Sequence, residues 1–315
     1  MEVDVVVVGG GPAGLSAALW VARYRRSVVV LDSQEYRSAA TEHSHGYLGR
    51  DPQSPAELLA RGREELLVYP TAAIAHERVD AIEVGPDELF TVGSYRAHRV
   101  VLATGVRDEL PPDLEGFDEH YGASVFHCAA CDGYEARDRD VVVLGWAEHL
   151  VGFATTLLNW ARSVTVVTAG HSFEGDAFLR ERLRDLGIEL VEDKAVALQG
   201  RRGDLRCLTL GSGRELPASL VFFSIAHHPR TELAVSLGCE LDEDGYVDVT
   251  ECGLTSVPGV YAAGDLVPGL QLVQVAAASG VVAGVAAAQD FHGERGAPTS
   301  PEPAPDPELG TPGPA

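Results

Sequence analysis

Two cysteines stand close together in the chain and are followed directly by an acid: Cys128, Cys131 and Asp132. Cysteines at this spacing can close a small, reducible disulfide. A helix that begins there favours the thiolate, because its free N–H groups stabilise the negative charge. Asp132 could supply or accept the proton that thiol chemistry requires. The segment therefore predicts a redox-active disulfide with an acid–base residue beside it.

A zinc site is the competing interpretation of the same cysteines. Structural zinc normally takes four ligands, often from a second cysteine pair or a histidine pair. The sequence has no second C-x-x-C, and His127 is adjacent to Cys128, where neighbouring side chains seldom converge on one metal. We therefore expect no metal. We expect the other three cysteines, Cys207, Cys239 and Cys252, to be buried and inert.

A glycine-rich segment near the start has the pattern of a dinucleotide-binding turn. Gly9, Gly11 and Gly14 form G-x-G-x-x-G between a β-branched run and a helical stretch. The glycines permit a tight turn, the approach of a pyrophosphate and close helix packing. Asp32 ends the next predicted strand, 23 residues after Gly9, where a carboxylate can accept from a ribose hydroxyl. A late Gly-Asp turn at Gly264 favours FAD over NAD, since a long cofactor lies across the whole domain.

The sequence of strand, glycine turn and helix occurs twice. This predicts an α/β fold with two Rossmann-like dinucleotide-binding domains. The first set of strands is expected near 3–8 and 28–31, and the second near 140–145 and 164–167. Residues 293–315 are rich in Pro, Gly, Glu and Ala, which predicts a disordered tail.

The charge and the apolar runs exclude several classes of function. A formal net charge of -23 disfavours nucleic acid and anionic membrane surfaces as partners, because both require clustered Lys and Arg. No apolar run approaches the roughly 20 residues that span a bilayer. Because the first residues run straight into a strand and do not form a signal peptide, we expect a cytoplasmic protein.

The order and spacing of four motifs resemble those of the low-molecular-weight thioredoxin reductase family. These motifs are Gly9–Gly14, Ala103–Gly105, Cys128–Gly133, and Ala263–Asp265 followed by Gln274. The resemblance covers about residues 1–292. It implies a homodimer whose partner is a thioredoxin-like protein or a small-molecule dithiol or disulfide.

The same resemblance implies how the chain is divided and which residues act. An FAD-binding domain would comprise 1–113 and 228–292, and an inserted, NADPH-domain-like domain at 114–227 would carry the cysteines. Cys131 would face the flavin, Cys128 would exchange with the external disulfide, and Asp132 would be the acid–base group. The residues expected to bind FAD are Gly9, Gly11, Pro12, Ala13, Gly14, Asp32, Ala103, Thr104, Gly105, Gly264, Asp265 and Gln274.

The second glycine turn departs from the family pattern. The family has G-x-G-x-x-A or G-x-G-x-x-G here, whereas this chain keeps only Gly145. Ala147 puts a Cβ where the pyrophosphate should approach, and Glu148 repels phosphate. Residues 168–174, where the family places basic residues for the 2′-phosphate, contain no Arg or Lys. We expect NADPH to bind weakly or not at all, with binding through other groups as the open alternative.

The segment around His45 points to one branch of the family. Residues 41–48 resemble the flavin-dependent dithiol oxidases, which lack a working NADPH site and pass electrons to oxygen. His45 would then be a proton carrier near the disulfide, and a surface or packing histidine is the alternative. The branch usually has a His where this chain has Asp132, so the cysteine motif follows the thioredoxin reductases instead.

Three functions are therefore compatible with the sequence. The first is an FAD-dependent disulfide oxidoreductase that exchanges electrons with an external thiol or disulfide without efficient use of NADPH. The second is a conventional NADPH-dependent thioredoxin reductase with an atypical nucleotide pocket. The third is a non-catalytic flavin-binding redox sensor, against which the intact Cys128, Cys131 and Asp132 argue.

Overall fold

The computed structural model describes residues 1–291, which form two compact units. The first unit comprises residues 1–36, 56–106 and the described residues from Pro229 onward, and the second comprises 37–55 and 107–228. The assignment of an FAD-binding and an inserted domain stays a prediction. The expected disordered tail at 293–315 lies outside the described residues.

The secondary structure alternates between strands and helices over most of the chain. The strands are, in chain order, β1 (Glu2–Val8), β2 (Val28–Leu31), β3 (Ala72–Ala75), β4 (Ile82–Val84), β5 (Phe90–Val92), β6 (Tyr95–Leu102), β7 (Val106–Asp108), β8 (Val125–Phe126), β9 (Asp140–Leu144), β10 (Ser163–Val167), β11 (Glu189–Val191), β12 (Ala195–Arg201), β13 (Asp204–Leu210), β14 (Glu215–Pro217), β15 (Leu220–Phe223), β16 (His227–Pro229) and β17 (Val260–Ala262). The α-helices are α1 (Pro12–Arg23), α2 (Pro55–Leu67), α3 (Phe117–His120), α4 (Ala129–Asp132), α5 (Leu150–Leu157), α6 (Ala177–Asp185), α7 (Glu232–Ser236) and α8 (Val273–Gln289). Two 3-10 helices are Gly133–Ala136 and Gly264–Leu266.

The first unit is built on a seven-stranded sheet. Its parallel part has the order β3-β2-β1-β6, and β5 and β4 continue it in antiparallel fashion. The long strand β6 pairs with β5 through its first residues and with β17, in parallel, through its last ones. The valines of β1 and β2 are buried and contribute to the apolar clusters on both faces of the sheet, as expected of parallel strands covered on both sides.

Small residues let helix α8 lie directly on helix α1. A Cβ added at Gly280 would stand 2.0 Å from the carbonyl oxygen of Ala13, and one at Gly284 would stand 2.4 Å from that of Ala17. Neither neighbour is a flexible side chain, so only glycine fits at these two positions. The close contact fixes α1, whose first turn follows the Gly9–Gly11 segment, against the long C-terminal helix.

The second unit repeats the parallel arrangement with a different sheet. Its five strands have the order β11-β10-β9-β15-β8 and all run parallel, and a separate antiparallel sheet contains β12, β13 and β14. The predicted α/β fold with two Rossmann-like sheets is therefore confirmed. Within residues 1–291, none of the helices combines the length and the apolar character that crossing a membrane requires.

Candidate functional site

The first glycine turn lies between β1 and α1 in the first unit. Gly9 has a φ of +111°, and a Cβ there would meet the carbonyl oxygen of Ala103 at 2.3 Å. A Cβ at Gly14 would stand 1.8 Å from the carbonyl oxygen of Gly9, so the first turn of α1 contacts the backbone of the glycine turn directly. At Gly11, by contrast, nothing in the described protein lies within 4 Å of the added atom. Open space therefore faces the turn at the N-terminus of α1, which is where a pyrophosphate binds in such turns.

Two further turns predicted to hold FAD lie at the same edge of this sheet. The N–H of Ala103 donates to the carbonyl of Val8 at 2.8 Å, and the N–H of Ala263 donates to that of Leu102 at 2.9 Å. The segment Ala103–Gly105 therefore follows β6, which ends beside β1, and Gly264–Asp265 follows β17, which ends beside β6. Gln274 lies in the first turn of α8.

Asp32 is a buried carboxylate at the end of β2, with 2% of its surface exposed. Its Oδ1 accepts from the N–H of Gln34 at 2.9 Å, and its Oδ2 accepts from the Tyr36 hydroxyl and from Arg63 at 3.3 Å. The sequence did not predict Tyr36 or Arg63 beside it. The open space at Gly11, the helix N-terminus and an acid at the next strand end together fit a dinucleotide such as FAD.

The cysteine pair lies at the start of α4 in the second unit, as the sequence predicts. Cys128 and Cys131 are joined by an S–S bond of 2.02 Å. Cys128 caps the helix, and its Sγ accepts a hydrogen bond from the N–H of Cys131 at 3.1 Å. Among the described residues, no group of three or more His, Cys, Asp or Glu side chains is arranged to hold a metal ion.

The expectation for the remaining cysteines is wrong in part. Cys239 is buried, but Cys207 is half-buried and Cys252 is exposed. Cys252 lies in a tight turn, in which the N–H of Gly253 donates to the carbonyl of Thr250 at 2.8 Å. A side chain in such a surface turn is directed outward although cysteine itself is apolar.

Asp132, which directly follows Cys131 in the chain, is a buried carboxylate with 8% of its surface exposed. Burial raises the pKa of its carboxyl to about 7, with a further contribution from the negative charge of Glu135 and an opposing one from His45. A group with this pKa exchanges a proton readily near neutral pH, because neither form is strongly preferred. A pKa in this range is what an acid–base group needs, and that role of Asp132 stays a prediction.

His45 belongs to the same unit as the disulfide, because residues 37–55 pack with residues 107–228. Its Nδ1 lies 3.0 Å from Oδ1 of Asp51, and its Nε2 lies 3.7 Å from Oε1 of Glu135. Its role as a proton carrier stays a prediction. Neither carboxylate was predicted to contact it.

A buried ion pair next to the cysteines was also missed. Arg37 donates to both oxygens of Asp108, from Nε at 2.7 Å and from Nη2 at 2.6 Å. Nε2 of His127 lies 3.8 Å from the same carboxylate. Burial lowers the pKa of His127 to about 4 against the opposing charge of Asp108, so the imidazole adjacent to Cys128 is neutral at physiological pH. The position of His127 directly before Cys128 is the one feature of the sequence that could have indicated a polar cluster at this place.

The second glycine turn is longer than the first and is closed by its own contacts. Residues 145–149 separate β9 from α5, whereas residues 9–11 separate β1 from α1. The N–H groups of Leu150 and Val151 donate to the carbonyls of Ala147 and Glu148 at 3.1 and 3.2 Å. These are the first N–H groups of the helix, which a pyrophosphate would otherwise use.

Aromatic stacking occupies the rest of this second turn. The rings of Trp146 and His171 are stacked with centroids 3.8 Å apart and planes 19° apart. The N–H of Glu174 donates to the carbonyl of Trp146 at 2.8 Å. Arg180, on the following helix, donates to Glu192 at 2.9 Å and to the carbonyl of Phe173 at 3.2 Å. The turn therefore presents stacked rings and N–H groups that already donate to the protein, and the expected weak binding of NADPH stays a prediction.

Comparison with known proteins agrees with the resemblance read from the sequence. The family model described as pyridine nucleotide-disulphide oxidoreductase matches residues 3–280. The chain is 34% identical over 277 residues to thioredoxin reductase of Mycolicibacterium smegmatis, covering 84% of this chain and 88% of that protein. In structure it is similar to a thioredoxin reductase TrxB from Bacillus anthracis, with a TM-score of 0.84, 29% identity, and 91% and 98% of the two chains covered. It is also similar to HlmI, with a TM-score of 0.84, 38% identity and 91% of each chain covered.

Proposed function

Because the chain belongs to the pyridine nucleotide-disulphide oxidoreductase family and is a flavoprotein of the thioredoxin reductase type, we propose that it exchanges electrons between FAD, the Cys128–Cys131 disulfide and an external thiol or disulfide. The observation that carries the proposal is the bonded cysteine pair beside an acid whose pKa burial raises to about 7. FAD, held at the Gly9–Gly14 turn, would supply a two-electron donor or acceptor.

The residues of the second unit perform the exchange with the external thiol. The incoming sulfur attacks Sγ of Cys128, the S–S bond breaks, and Cys131 leaves as a thiolate. Asp132 accepts the proton of the attacking thiol and returns it when the reaction runs in reverse. When the exchange runs in reverse and Cys128 is the thiolate, the N–H of Cys131, which lies 3.1 Å from Sγ of Cys128, stabilises the negative charge on that sulfur.

We further propose that NADPH is not the efficient electron donor. The stacked Trp146 and His171, and the N–H groups engaged by Ala147 and Glu148, support this. A dithiol would then supply the electrons and oxygen would accept them, or another donor would drive reduction of a disulfide. The partner would be a thioredoxin-like protein or a small-molecule dithiol or disulfide, and the chain would act as a homodimer.

The second candidate is a conventional NADPH-dependent thioredoxin reductase. It is favoured by the relatives, which are named as thioredoxin reductases. An anaerobic titration of the purified holoprotein with NADPH, NADH, dithiothreitol and reduced thioredoxin, followed by admission of air, separates the two. We expect a dithiol to bleach the flavin absorbance, NADPH to leave it unchanged, and air to restore it.

Rapid bleaching by NADPH would decide for the second candidate. A Cys131→Ser variant tests the third, the non-catalytic sensor, and Cys252→Ser is its matched control because Cys252 is an exposed free thiol. We expect the Cys131 variant to lose turnover on every dithiol and the control to retain it. Unchanged turnover in the Cys131 variant would remove the disulfide from the reaction.

A further inference from the structure

The carboxylate that ends β2 is bonded to two side chains that no motif predicts. Arg63, from helix α2, donates from Nη2 to Oδ2 of Asp32 at 3.3 Å and also donates to the hydroxyl of Tyr36. That hydroxyl donates in turn to Oδ2 of Asp32. All three residues belong to the first unit. A buried carboxylate, a phenol and a guanidinium thus form one polar group of side chains, which we call the Asp32 cluster.

The Asp32 cluster lies directly against the first glycine turn. A Cβ added at Gly10 would stand 2.2 Å from Oδ2 of Asp32, so the carboxylate contacts the backbone in the middle of the turn. In turns of this kind the pyrophosphate lies at the helix N-terminus, and the ribose lies beside the acid that ends the second strand. The cluster is therefore placed where the adenosine ribose of FAD binds in such domains.

The carboxylate of Asp32 has room for one more donor. A carboxylate accepts up to about four hydrogen bonds. Among the described residues, the N–H of Gln34 donates to Oδ1 at 2.9 Å, and Tyr36 and Arg63 donate to Oδ2. Burial, followed by the hydrogen bond to Asp32, raises the pKa of Tyr36, so its hydroxyl keeps the proton that it donates. The acceptor position that is left lies on Oδ1, and one ribose hydroxyl would fill it.

Arg63 offers a donor beside this acceptor. Its Nε is buried and has no hydrogen-bond partner among the described residues. In a planar guanidinium, the N–H of Nε and one N–H of Nη2 are parallel and share one edge, which is the edge that Arg37 uses toward Asp108. Because Nη2 of Arg63 is bonded to Asp32 and Tyr36, the neighbouring Nε–H is presented next to the carboxylate. A buried N–H normally has an acceptor, so this one indicates a ligand atom.

We propose that Arg63 is an FAD-binding residue, which donates from Nε to one hydroxyl of the adenosine ribose while Asp32 accepts from the neighbouring hydroxyl. A donor and an acceptor side by side match two adjacent hydroxyl groups, because each hydroxyl can both donate and accept. Tyr36 is a positioning residue, since its hydroxyl joins Arg63 to Asp32. The inference deepens the proposed function and rests on it only in that FAD is the cofactor.

Adenosine diphosphate tests this end of the site alone, because it carries the ribose and the pyrophosphate of FAD but no flavin ring. Isothermal titration calorimetry gives its dissociation constant for the full chain stripped of flavin, and those of its 2′-deoxy and 3′-deoxy forms. We expect the wild type to bind adenosine diphosphate about tenfold or more tightly than either deoxy form, because hydrogen bonds to charged groups are the stronger class.

Substitutions at Arg63 should remove the preference over one of the two deoxy forms. Arg63→Met deletes the guanidinium, and Arg63→Lys keeps a positive charge for Asp32 but has a methylene group in place of Nε–H. The lysine variant therefore keeps the test valid if the methionine variant does not fold. Tyr36→Phe should reduce the same preference in part. Arg61→Met is the matched control, since Arg61 is an exposed arginine of the same helix, and it should leave all three dissociation constants unchanged.

Several results would overturn the assignment of Arg63. One is an Arg63→Lys chain that keeps the wild-type preference over both deoxy forms. Another is an equal loss of affinity for all three nucleotides, which would show that the Asp32 cluster only supports the fold. A wild-type chain that binds the three nucleotides alike, or none of them, would also refute the proposal. Failure of the proposed function would be seen elsewhere, as a flavin in the holoprotein that no dithiol bleaches.

Discussion

Replacing Asp132 with Asn removes a buried group whose titration should depend on folding. Burial, followed by the charge of Glu135, raises the pKa of Asp132 from 3.8 to about 7 in the folded protein. The stability that this group contributes is fully present below the unfolded pKa and is lost as the pH rises toward 7, because the unfolded chain ionises first. A pKa difference of about 3 corresponds to about 4 kcal/mol of unfolding free energy.

The Asn variant cannot ionise, so its stability should not fall in this way. Between pH 5 and pH 7 the unfolding free energy of the wild type should decrease by about 2 kcal/mol relative to the variant. For a chain of this length that equals about 4 °C in melting temperature. Thermal unfolding of the oxidised proteins at both pH values measures it, with Asp118→Asn as the exposed control. A difference in melting temperature between wild type and Asp132→Asn that stays constant across this range would refute the assignment of a raised pKa.

Four further substitutions test the packing, the cofactor site and the Arg37–Asp108 ion pair. Gly280→Ala should lower the unfolding free energy by about 1–3 kcal/mol, because the added Cβ meets the backbone of α1. Gly152→Ala, in α5, should raise the unfolding free energy by about 0.5–1 kcal/mol, because nothing lies within 4 Å of its added Cβ. Chemical denaturation measures both changes. Gly11→Ala should leave the circular dichroism spectrum unchanged but lower the flavin bound per chain, since its Cβ would fill only the open space at the turn; a normal flavin content would contradict this. Asp108→Asn should lower the unfolding free energy by about 3 kcal/mol, since it removes the charge that Arg37 pairs with in a largely buried site. Burial alone would raise the pKa of Asp108, but the hydrogen bonds from Arg37 and the charge of His127 hold this pKa below its usual value. The stability that the ionised Asp108 contributes to the wild type should therefore be lost as the pH falls through the lowered pKa.

The sequence predicted the parts of the fold that depend on local patterns. The valine runs at β1, β2, β9 and β10 appear where β-branched residues predict buried parallel strands. Helix α1 begins at Pro12, because proline suits the first position of a helix and the glycine turn ends directly before it. Helix α2 begins at Pro55 for the same reason.

The site was predictable where its residues are neighbours in sequence and not where they come from distant segments. The cysteine pair and Asp132 share one motif, so their association follows from local geometry. The contacts of His45 with Glu135, and of Arg37 with Asp108, join loop 37–55 to segments that come much later in the chain. Such contacts depend on tertiary packing, for which composition and periodicity hold no information. Glu135 was nevertheless within reach of inference, since it stands three positions after Asp132 on a helical backbone.

Residues 37–55 belong to the second unit although residues of the first unit precede and follow them in the sequence, and this limits how the protein can be divided into fragments. His45 and the disulfide belong to the same compact unit, although His45 comes from a separate stretch of the chain. A fragment made only of residues 107–228 would retain both sulfurs and Asp132 but would lack the imidazole and Asp51. The compact unit that holds both the disulfide and His45 is therefore assembled from two separate stretches of chain, and no single cut isolates it.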